Sequence, residues 1–505
     1  MSELLPYERK EIREEKLLRA LPPEYRKDVS HPIEDELKRR SNEVVVYLED
    51  DSTGVQKSHD VFMVIYPSED GIRDGIIAAR KTEHKLLFIL TNSRGLPPKK
   101  TEEFNRSIVE SLIKISNEEN IELRLGSRGD STLRGHFPLE PLTIKKSLEA
   151  SGRVVDGIII SHAFLTEMAR VTVNDIHLLR TQKNDGSIWY TPVHLTGFAQ
   201  DPVFHYPTSN MKEYIKYKFA VSNLKIESKD IRHISIDDIR RGGPEKVSSM
   251  LLEMKNGHMI TVDAVSRRDL DVFVLGLLWT EREGKYFIYR TAASFPPARV
   301  GMPDLPSLTR EQILGNRKLD GGILSIWGSI GELSNKQLER MVKDVEGWIS
   351  VELDVKRILE SEEEREKVIA SARNATEEAL KHSKNAIVYT IPRSEYPLGD
   401  LNEEERTANH LKIANSLQQI NDEINSPPSV LLFKGGTTSS IGLLRSGARK
   451  VYAMGQIDSG IPIVKILPDD NTRFQGRETL IILGPGNVGI ADTYVEIIKK
   501  LLNNL

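Results

Sequence analysis

The stretch SRGDSTLRGH, residues 127–136, gathers two arginines, an aspartate, three hydroxyl side chains and two glycines into ten consecutive positions. It follows an apolar-alternating run at 121–125, which predicts a strand, and it precedes a predicted helix that begins near Pro138. Arginine carries a planar fork of donors that matches carboxylate and phosphate oxygens. Because open α/β sheets bind ligands at the carboxyl ends of their strands, the stretch fits a ligand loop. A solvated, salt-bridged turn fits these residues equally well. The choice between a ligand loop and such a turn therefore depends on the residues of the other loops.

The rest of the chain alternates predicted strands with predicted helices in two series. In the first series the strands lie at 44–48, 86–90, 121–125, 157–160, 260–262 and 286–289. In the second they lie at 323–326, 349–353, 386–390, 430–433 and 480–483, with helices at 335–343, 354–381, 402–421 and 491–502. This order predicts an α/β fold class: two α/β domains with largely parallel sheets. We expect an interdomain cleft, which is a common place for a small-molecule site.

Composition divides the chain into three parts. Residues 1–42 alternate acids and bases around scattered leucines, and they are predicted to form a charged helical N-terminal extension. Residues 43–300 and 301–505 are the two predicted domains, joined by a proline-rich linker at 294–306, since proline breaks both helices and sheet ladders. An irregular section at 191–218, rich in Pro, Tyr and His, is predicted to be an insertion or lid.

Length and charge exclude several classes of protein. A chain of 505 residues is too long for a single core. Its net charge of −4 argues against a nucleic-acid partner, which calls for a basic excess. The absence of cysteine excludes disulfides and thiolate catalysis. The charged amino terminus is unlike a signal peptide, and no run approaches the ~18 apolar residues that span a bilayer, so we expect a cytoplasmic protein with no membrane partner.

Polar clusters follow the predicted strands of the first domain. The first strand is followed by EDDSTG at 49–54, the second by Ser93 and Arg94, and the fourth by His162. Adjacent carboxylates can grip substrate hydroxyls, hold Mg²⁺ or accept a proton from an attacking alcohol, whereas a helix cap is the alternative for residues 49–54. A lone histidine is more often structural than catalytic. Several such clusters at one sheet edge indicate an anionic, hydroxylated ligand.

Three glycine-rich turns follow strands of the second domain: GSIG at 328–331, GGTTSS at 435–440 and GPGNVG at 484–489. Glycines let the backbone approach an anion, and the amino end of the following helix offers free N–H groups with a partial positive charge. Each turn alone fits a tight strand-to-helix connection, but three in one domain favour a nucleotide. None is a Walker motif, because no Gly-Lys-Ser/Thr ends the loop.

Other chemistry is not indicated. The 12 histidines form no HxxxH or HxH arrangement within a carboxylate cluster, so no protein-held metal site is predicted. The chain contains no GxSxG elbow of a serine hydrolase.

Taken in order, these motifs resemble the four-carbon acid sugar kinase family. In the first domain, the family's acid pair with Thr-Gly is matched at 50–54, its Ser-Arg at 93–94 and its Asp-Ser-Thr-Leu-Arg-Gly segment at 130–135. In the second domain, its serine with a later glutamine is matched by Ser329 and Gln337. Three further segments match at 435–438, 460–462 and 486–489. The resemblance covers about residues 44–502.

The resemblance implies ATP-dependent phosphorylation of a hydroxyl group on a four-carbon sugar acid, of the tetronate or 3-oxo-tetronate type. The amino-terminal domain would bind the acid and the carboxyl-terminal domain the ATP, with Mg²⁺ bridging the nucleotide phosphates. The implied catalytic residues are Asp51, Asp130 and Arg134. The implied substrate contacts are Asp50, Ser93, Arg94, Ser131 and His162. The implied nucleotide contacts are Ser329, Gly435, Gly436, Thr437, Thr438 and Gly486.

Two other functions remain open from the sequence. The first is a nucleotide-gated sugar-acid-binding or regulatory protein without turnover, which the retained acids and arginines disfavour. The second is a kinase for a different sugar acid. A homodimer is also left open.

Overall fold

The computed structural model describes residues 10–165, 169–183, 185–328, 331–345, 347–390, 403–474, 476–486 and 488–502. Ser329 and Asn487, which belong to two of the predicted glycine turns, lie outside the described residues. The chain divides into two compact units. The first unit comprises residues 1–54 and 67–304, and the second comprises residues 55–66 and 305–505.

The first unit contains strands and helices in alternation. Its strands are β1 (Ile12–Arg13), β2 (Glu43–Glu49), β4 (Leu86–Leu90), β5 (Glu122–Arg128), β6 (Gly157–Ser161), β7 (Arg170–Val173), β8 (Ile176–Gln182), β9 (Ile188–Pro192), β10 (Ile231–Ile234), β11 (His258–Val262) and β12 (Phe287–Thr291). Its helices are α1 (Glu14–Ala20), α2 (Ser30–Lys38), α3 (Glu69–Ala79), α4 (Pro98–Glu119), α5 (Leu139–Ala150), α6 (Met211–Val221), α7 (Ile236–Arg240), α8 (Gly243–Leu252), α9 (Arg267–Arg282) and α10 (Phe295–Arg299).

The second unit continues the numbering. Its strands are β3 (Val61–Val64), β13 (Ile323–Trp327), β14 (Trp348–Leu353), β15 (Asn385–Thr390), β16 (Val430–Lys434), β17 (Lys450–Asp458), β18 (Ile461–Ile466) and β19 (Thr479–Gly484). Its helices are α11 (Arg310–Leu314), α12 (Glu332–Asp344), α13 (Val355–Glu360), α14 (Glu362–Lys381), α15 (Glu403–Glu423), α16 (Gly436–Leu444) and α17 (Thr493–Leu502).

The main sheet of the first unit is parallel throughout, in the order β10-β11-β6-β12-β5-β2-β4. Its strands are near-continuous apolar runs, as β2 and β4 show, because helices cover both faces of a parallel sheet. All seven strands run in one direction, so the loops that follow them meet at one edge. A smaller antiparallel sheet, in the order β1-β9-β8-β7, has its own buried cluster.

The sheet of the second unit is mixed. Strands β19, β16, β13, β15 and β14 are parallel neighbours in that order, whereas β18, β17 and β3 continue the sheet in antiparallel pairs. The glycine turns follow β13, β16 and β19, which lie side by side. The predicted α/β class with largely parallel sheets is therefore confirmed, and the antiparallel strands β17 and β18 were not predicted.

Two stretches differ in secondary structure from what the sequence predicts. The linker predicted at 294–306 contains the buried helix α10, which tolerates its two prolines because they lie in the first turn, where the backbone N–H groups have no partner within the helix. The single helix predicted at 354–381 is two helices, α13 and α14. Ser361 separates them because it caps α14, where its hydroxyl accepts the N–H of Glu364 at 3.1 Å.

Candidate active site

The loops after β2 and β4 form an interlocked cluster of two carboxylates and an arginine. The guanidinium of Arg94 donates to both carboxylate oxygens of Asp50, at 2.7 and 3.2 Å, and to Asp51 Oδ2 at 3.1 Å. The second oxygen of Asp51 accepts the backbone N–H and the hydroxyl of Thr53, at 2.8 and 2.9 Å. Asp50 is buried, and Asp51 and Arg94 are partly exposed. A ligand at this edge would therefore meet Asp51 and Arg94 first.

The loop after β5 adds a second acid–arginine pair. Arg134 Nε donates to Asp130 Oδ2 at 2.8 Å, and the Thr132 hydroxyl donates to the same oxygen. The pair remains partly exposed, with side-chain exposures of 26% for Arg134 and 13% for Asp130, so it can contact a ligand. Ser131 is also partly exposed. Its carbonyl accepts a hydrogen bond from His177 Nε2 at 2.8 Å, which leaves the hydroxyl of Ser131 as the group available to a ligand.

Charge keeps both candidate bases ionised. Burial alone raises the pKa of Asp51, but the Arg94 guanidinium and the hydrogen bonds from Thr53 outweigh burial, so the pKa lies below its ordinary value. Burial also raises the pKa of Asp130, but the guanidiniums of Arg134 and Arg94 outweigh burial and hold that pKa well below its ordinary value. Each carboxylate can orient a hydroxyl group and accept its proton.

Glu49, the last residue of β2, occupies the space next to Gly54, the glycine of the EDDSTG motif. Its side chain is fully buried and accepts a hydrogen bond from Arg128 Nη1 at 3.0 Å. A Cβ atom at Gly54 would lie 1.8 Å from the Glu49 carboxyl group, so only glycine fits there. Burial, the largest effect, raises the pKa of Glu49 well above its ordinary range, with Asp50 adding to the shift and Arg128 opposing it. Glu49 is therefore a buried acid that Arg128 holds next to Gly54.

A buried arginine underlies the loop 127–136. Arg290, near the end of β12, is 1% exposed, and its Nη1 donates to Glu140 Oε2 at 2.5 Å and to the Ser127 hydroxyl at 3.2 Å. A Cβ atom at Gly129 would lie 2.4 Å from the Arg290 guanidinium, and one at Gly135 would lie 2.9 Å from it. Both glycines are therefore required by close approach to this guanidinium and not only by a turn.

Ser93 belongs to the same buried network. Its hydroxyl donates to Glu140 Oε1 at 2.5 Å, and the side chain has no exposed surface. Glu140 thus ties the loop after β4 to Arg290. The structure gives Ser93 an inward contact, whereas the sequence predicted a substrate contact.

Side chains from the predicted insertion support the loop from the other side. The hydroxyls of Tyr206 and Tyr214 donate to the carbonyls of Thr132 and Leu133, at 2.6 and 2.8 Å. Leu133 has a φ of 68°, in the left-handed region that costs a branched side chain about 1–3 kcal/mol. Its side chain is 1% exposed, and this burial and the tyrosine hydrogen bond hold it there.

The same insertion contacts the exposed arginine of the loop. The Arg134 guanidinium lies 5.0 Å from the centroid of the Phe198 ring, and its Nη1 lies 3.8 Å from Asp201 Oδ2. Cation–π contact and a second carboxylate therefore fix the direction in which Arg134 points.

His162 lies buried beside this loop. It directly follows β6, is 2% exposed, and its ring centroid lies 6.1 Å from that of His177. Its Nδ1 is buried and has no hydrogen-bond partner among the described residues. Burial lowers the pKa of His162 well below its ordinary value, and nearby Arg290 and His177 add to the effect. A neutral imidazole with an open nitrogen is suited to contact a sugar hydroxyl group.

In the second unit, the glycine turns meet where the strand order predicts. Gly435 has a φ of 112° and precedes α16, whose first residues are Gly436 and Thr437. A Cβ atom at Gly328 would lie 2.3 Å from the hydroxyl oxygen of Thr438, so the turn after β13 touches the start of α16. Thr437 is exposed and Gly436 partly so. These two residues present the amino end of a nine-residue helix to a ligand.

The third glycine turn joins the same group. The carbonyl of Gly486 accepts hydrogen bonds from the Ser334 hydroxyl at 2.8 Å and from Lys434 Nζ at 2.9 Å. Gln337 Nε2 donates to the carbonyls of Val488 and Ile490, at 3.0 and 2.9 Å. The residues matched to a nucleotide-binding motif are thus neighbours, apart from Ser329, which lies outside the described part of the chain.

Sequence reasoning missed three residues of these sites: Glu140, Arg290 and Lys434. Two of them carried a signal. Arg290 is a charge near the end of the apolar strand FIYRT, and Lys434 stands between an apolar strand and the glycine pair. Glu140 carried none, because an acid in the first turn of a helix is ordinary.

No resident metal centre is visible in the described residues, in which three or more His, Asp or Glu side chains nowhere gather as metal ligands do. A magnesium ion delivered with a nucleotide takes most of its ligands from phosphates and water. None of the helices within the described ranges combines the length and the apolar character needed to cross a bilayer.

Fold and site together define a two-domain α/β protein with an acid–arginine site on one sheet and a glycine-turn site on the other. Residues 45–299 match the model of the sugar-binding N-terminal domain, and residues 324–494 match that of the nucleotide-binding C-terminal domain. The chain belongs to the family that these two domains define, the four-carbon acid sugar kinase family. The resemblance inferred from the motifs is confirmed.

Solved structures share the fold at low sequence identity. Haemophilus influenzae protein HI1011, of family DUF1537, is 15% identical with a TM-score of 0.56, and the match covers 90% of this chain and all of that one. The putative tRNA synthase from Salmonella typhimurium LT2 is 13% identical with a TM-score of 0.61, covering 89% of this chain and 98% of that one. Among curated proteins, none matches the chain significantly.

Proposed function

We propose that this protein is an ATP-dependent kinase that phosphorylates a hydroxyl group of a four-carbon acid sugar of the tetronate or 3-oxo-tetronate type. The observation that carries the proposal is the partly exposed group Asp51, Arg94, Asp130 and Arg134 at the carboxyl edge of the first sheet. It combines carboxylates that can hold a hydroxyl group with guanidiniums that can hold an acid group. The sugar-binding and nucleotide-binding domains support the same activity.

In this mechanism Asp51 holds the substrate hydroxyl group and accepts its proton, with Asp130 as the second candidate. The freed oxygen forms a bond to the γ-phosphorus of ATP, the bond from that phosphorus to the β,γ-bridging oxygen breaks, and ADP leaves with the electron pair. Arg134 and Arg94 neutralise the substrate carboxylate and the charge on the transferring phosphoryl group. Asp50 keeps Arg94 in place, and Ser131 and His162 supply hydrogen bonds to the sugar.

The proposed nucleotide contacts are Ser329, Gly435, Gly436, Thr437, Thr438 and Gly486. The observation that fits a nucleotide is the close approach at Gly328, which leaves no room for a side chain beside Thr438. When bound with ATP, Mg²⁺ would neutralise the β- and γ-phosphates.

A panel of sugar acids with ATP and Mg²⁺ tests the proposal. Four-, five- and six-carbon acids are offered to the full chain, and ADP release is measured alongside mass spectrometry of the product. We expect turnover to be greatest with a four-carbon acid, with a product heavier by one phosphoryl group. Tight binding of ATP and acid without ADP release would instead indicate a regulatory binding protein, and turnover only with longer acids would reassign the substrate.

A further inference from the structure

We propose that Lys434 is a nucleotide-binding residue whose ammonium group contacts a phosphate of the bound nucleotide. This inference rests on the proposed function and deepens it, because neither the domain matches nor the glycine motifs assign a role to Lys434. The residue ends β16 and directly precedes Gly435 and Gly436, at the edge of the sheet where the three glycine turns meet.

The contacts of Lys434 place its ammonium group between two of those turns. The side chain has no exposed surface, and Nζ donates to the carbonyls of Pro485 and Gly486, at 2.5 and 2.9 Å. Nζ also lies 5.1 Å from the centroid of the Tyr494 ring, which belongs to α17. Two carbonyls use two of the three N–H donors of an ammonium group, so one donor remains for a ligand.

The charge of Lys434 has no protein counterpart among the described residues. None of their carboxylates forms an ion pair with it, and its other contacts, the carbonyls of the turn after β19 and the Tyr494 ring, are uncharged. The titratable group that faces it is the phenol of Tyr494, and Asp458 acts on that phenol in turn. Burial lowers the pKa of Lys434 to about 7. A buried ammonium without an acid is costly, and a phosphate would supply the missing charge.

A purely structural role for Lys434 would not require its amino group to be charged. An uncharged amine can also donate two hydrogen bonds, so tying down the Pro485–Gly486 turn needs no charge. A phosphate contact requires the charged form and would raise the pKa of Lys434, since an opposite charge favours ionisation. Nucleotide binding at pH 8, above the pKa of the free protein, would then take up a proton.

The test is isothermal titration calorimetry of the full chain with MgATP at pH 8, in Tris and in HEPES. These buffers differ in ionisation enthalpy, so the difference in observed heat counts the protons exchanged. The phosphates of ATP are fully ionised at this pH, and any proton taken up belongs to the protein. For the wild type we expect uptake of about one proton per nucleotide, because a lysine with a pKa near 7 is mostly neutral at pH 8.

Variants separate charge from structure. For Lys434→Met we expect no proton uptake and an ATP affinity lower by about 10- to 100-fold, the loss typical of a hydrogen bond to a charged group. Lys434→Arg keeps a permanent charge, and it should bind without proton uptake. The control Lys499→Met removes an exposed lysine of α17, paired with Glu496 at 3.1 Å, and should change neither value. Circular dichroism and thermal unfolding of each variant report that the second unit, which carries the substitutions, is folded.

Two outcomes overturn the inference. If the wild type binds ATP without proton uptake and Lys434→Met binds equally well, Lys434 does not contact a phosphate, and the proposed kinase function stands. If the wild type binds no nucleotide at all, both the inference and the proposed function fail.

Discussion

At the scale of single residues, the first question is which carboxylate takes the proton. Asp51 Oδ2 accepts one hydrogen bond from Arg94, and the side chain is partly exposed. If Asp51 is the base, Asp51→Asn keeps the shape of the side chain and removes the proton acceptor. We expect kcat to fall by about 10²- to 10⁴-fold, the usual contribution of a general base. The measurement is steady-state ADP release with the best sugar acid from the panel.

A matched control distinguishes this loss from a general loss of charge. Asp237→Asn removes an exposed carboxylate of the same unit that pairs with Arg241 at 2.8 Å, and its kcat should stay at the wild-type value. Near-normal turnover of Asp51→Asn would transfer the role to Asp130, whose Asp130→Asn variant should then show the large loss.

Sequence motifs predict the charged residues of the site's loops but not the buried contacts that hold them. The acids and arginines at 50–51, 94, 130 and 134 were predicted because charge and glycine are conspicuous after an apolar strand. The Glu49–Arg128 pair and the Arg290–Glu140 pair could not be predicted, because both depend on burial and on contacts between residues far apart in sequence. Motifs alone also cannot say that Ser93 points inward. The inward direction of Ser93 follows from its hydrogen bond to Glu140, which is distant in sequence.

At the scale of elements, the insertion predicted at 191–218 supports the loop 127–136. Tyr206 is fully buried, and its hydroxyl donates to the Thr132 carbonyl. In Tyr206→Phe that carbonyl loses its donor, so we expect the free energy of unfolding to fall by about 1–3 kcal/mol. Because the loop carries Asp130 and Arg134, affinity for the sugar acid should fall as well. Affinity for ATP should not change.

Urea unfolding and separate titrations with acid and ATP measure these effects. The control is Tyr217→Phe, a change in the same insertion. Tyr217 lies in α6, and its hydroxyl group lies 3.2 Å from His205 Nδ1 near the surface. It should stay within about 0.5 kcal/mol of the wild type. An unchanged acid affinity in Tyr206→Phe would mean that the insertion stabilises the unit without shaping the substrate site.

Element prediction succeeded where apolar runs were long and failed where sheet pairing decided the structure. The strands of the parallel sheets follow from continuous apolar sequence and from the helices between them. Strand β17 alternates buried and partly exposed residues, and it pairs with β18, its neighbour in sequence, and with β3, which is distant in sequence and could not be predicted as its partner. Helix α10 has two prolines in its first turn, and proline inside a sequence usually marks the end of a helix, so composition alone predicted a linker.

At the scale of the whole molecule, the second unit is not continuous in sequence. Residues 55–66 belong to it although they lie between two segments of the first unit, and their strand β3 pairs with β17 in antiparallel register from Val61↔Ala453 to Val64↔Lys450. The proline-rich stretch before residue 305 therefore marks only one of the chain's crossings between units. Linear domain boundaries drawn from composition cannot contain such a segment.

This discontinuity predicts how the second unit behaves when it is expressed alone. A chain of residues 305–505 lacks β3, so β17 becomes an edge strand with unpaired N–H and C=O groups, which favour aggregation. It also lacks the fully buried side chains of Val61 and Met63. We expect this piece to elute from size-exclusion chromatography as higher oligomers and to unfold at a lower temperature than a version in which residues 55–66 precede it through a flexible linker.

The two pieces differ only in residues 55–66 and the linker, because both carry the same glycine turns and Lys434. A third piece, with Val61 and Met63 changed to Asp within the attached segment, keeps its length but cannot bury the two side chains, and it should behave like residues 305–505 alone. If residues 305–505 were monomeric and as stable as the joined version, β3 would contribute nothing to the second unit. The pairing of β3 with β17 would then be a consequence of chain continuity, and β17 would be a stable edge by itself.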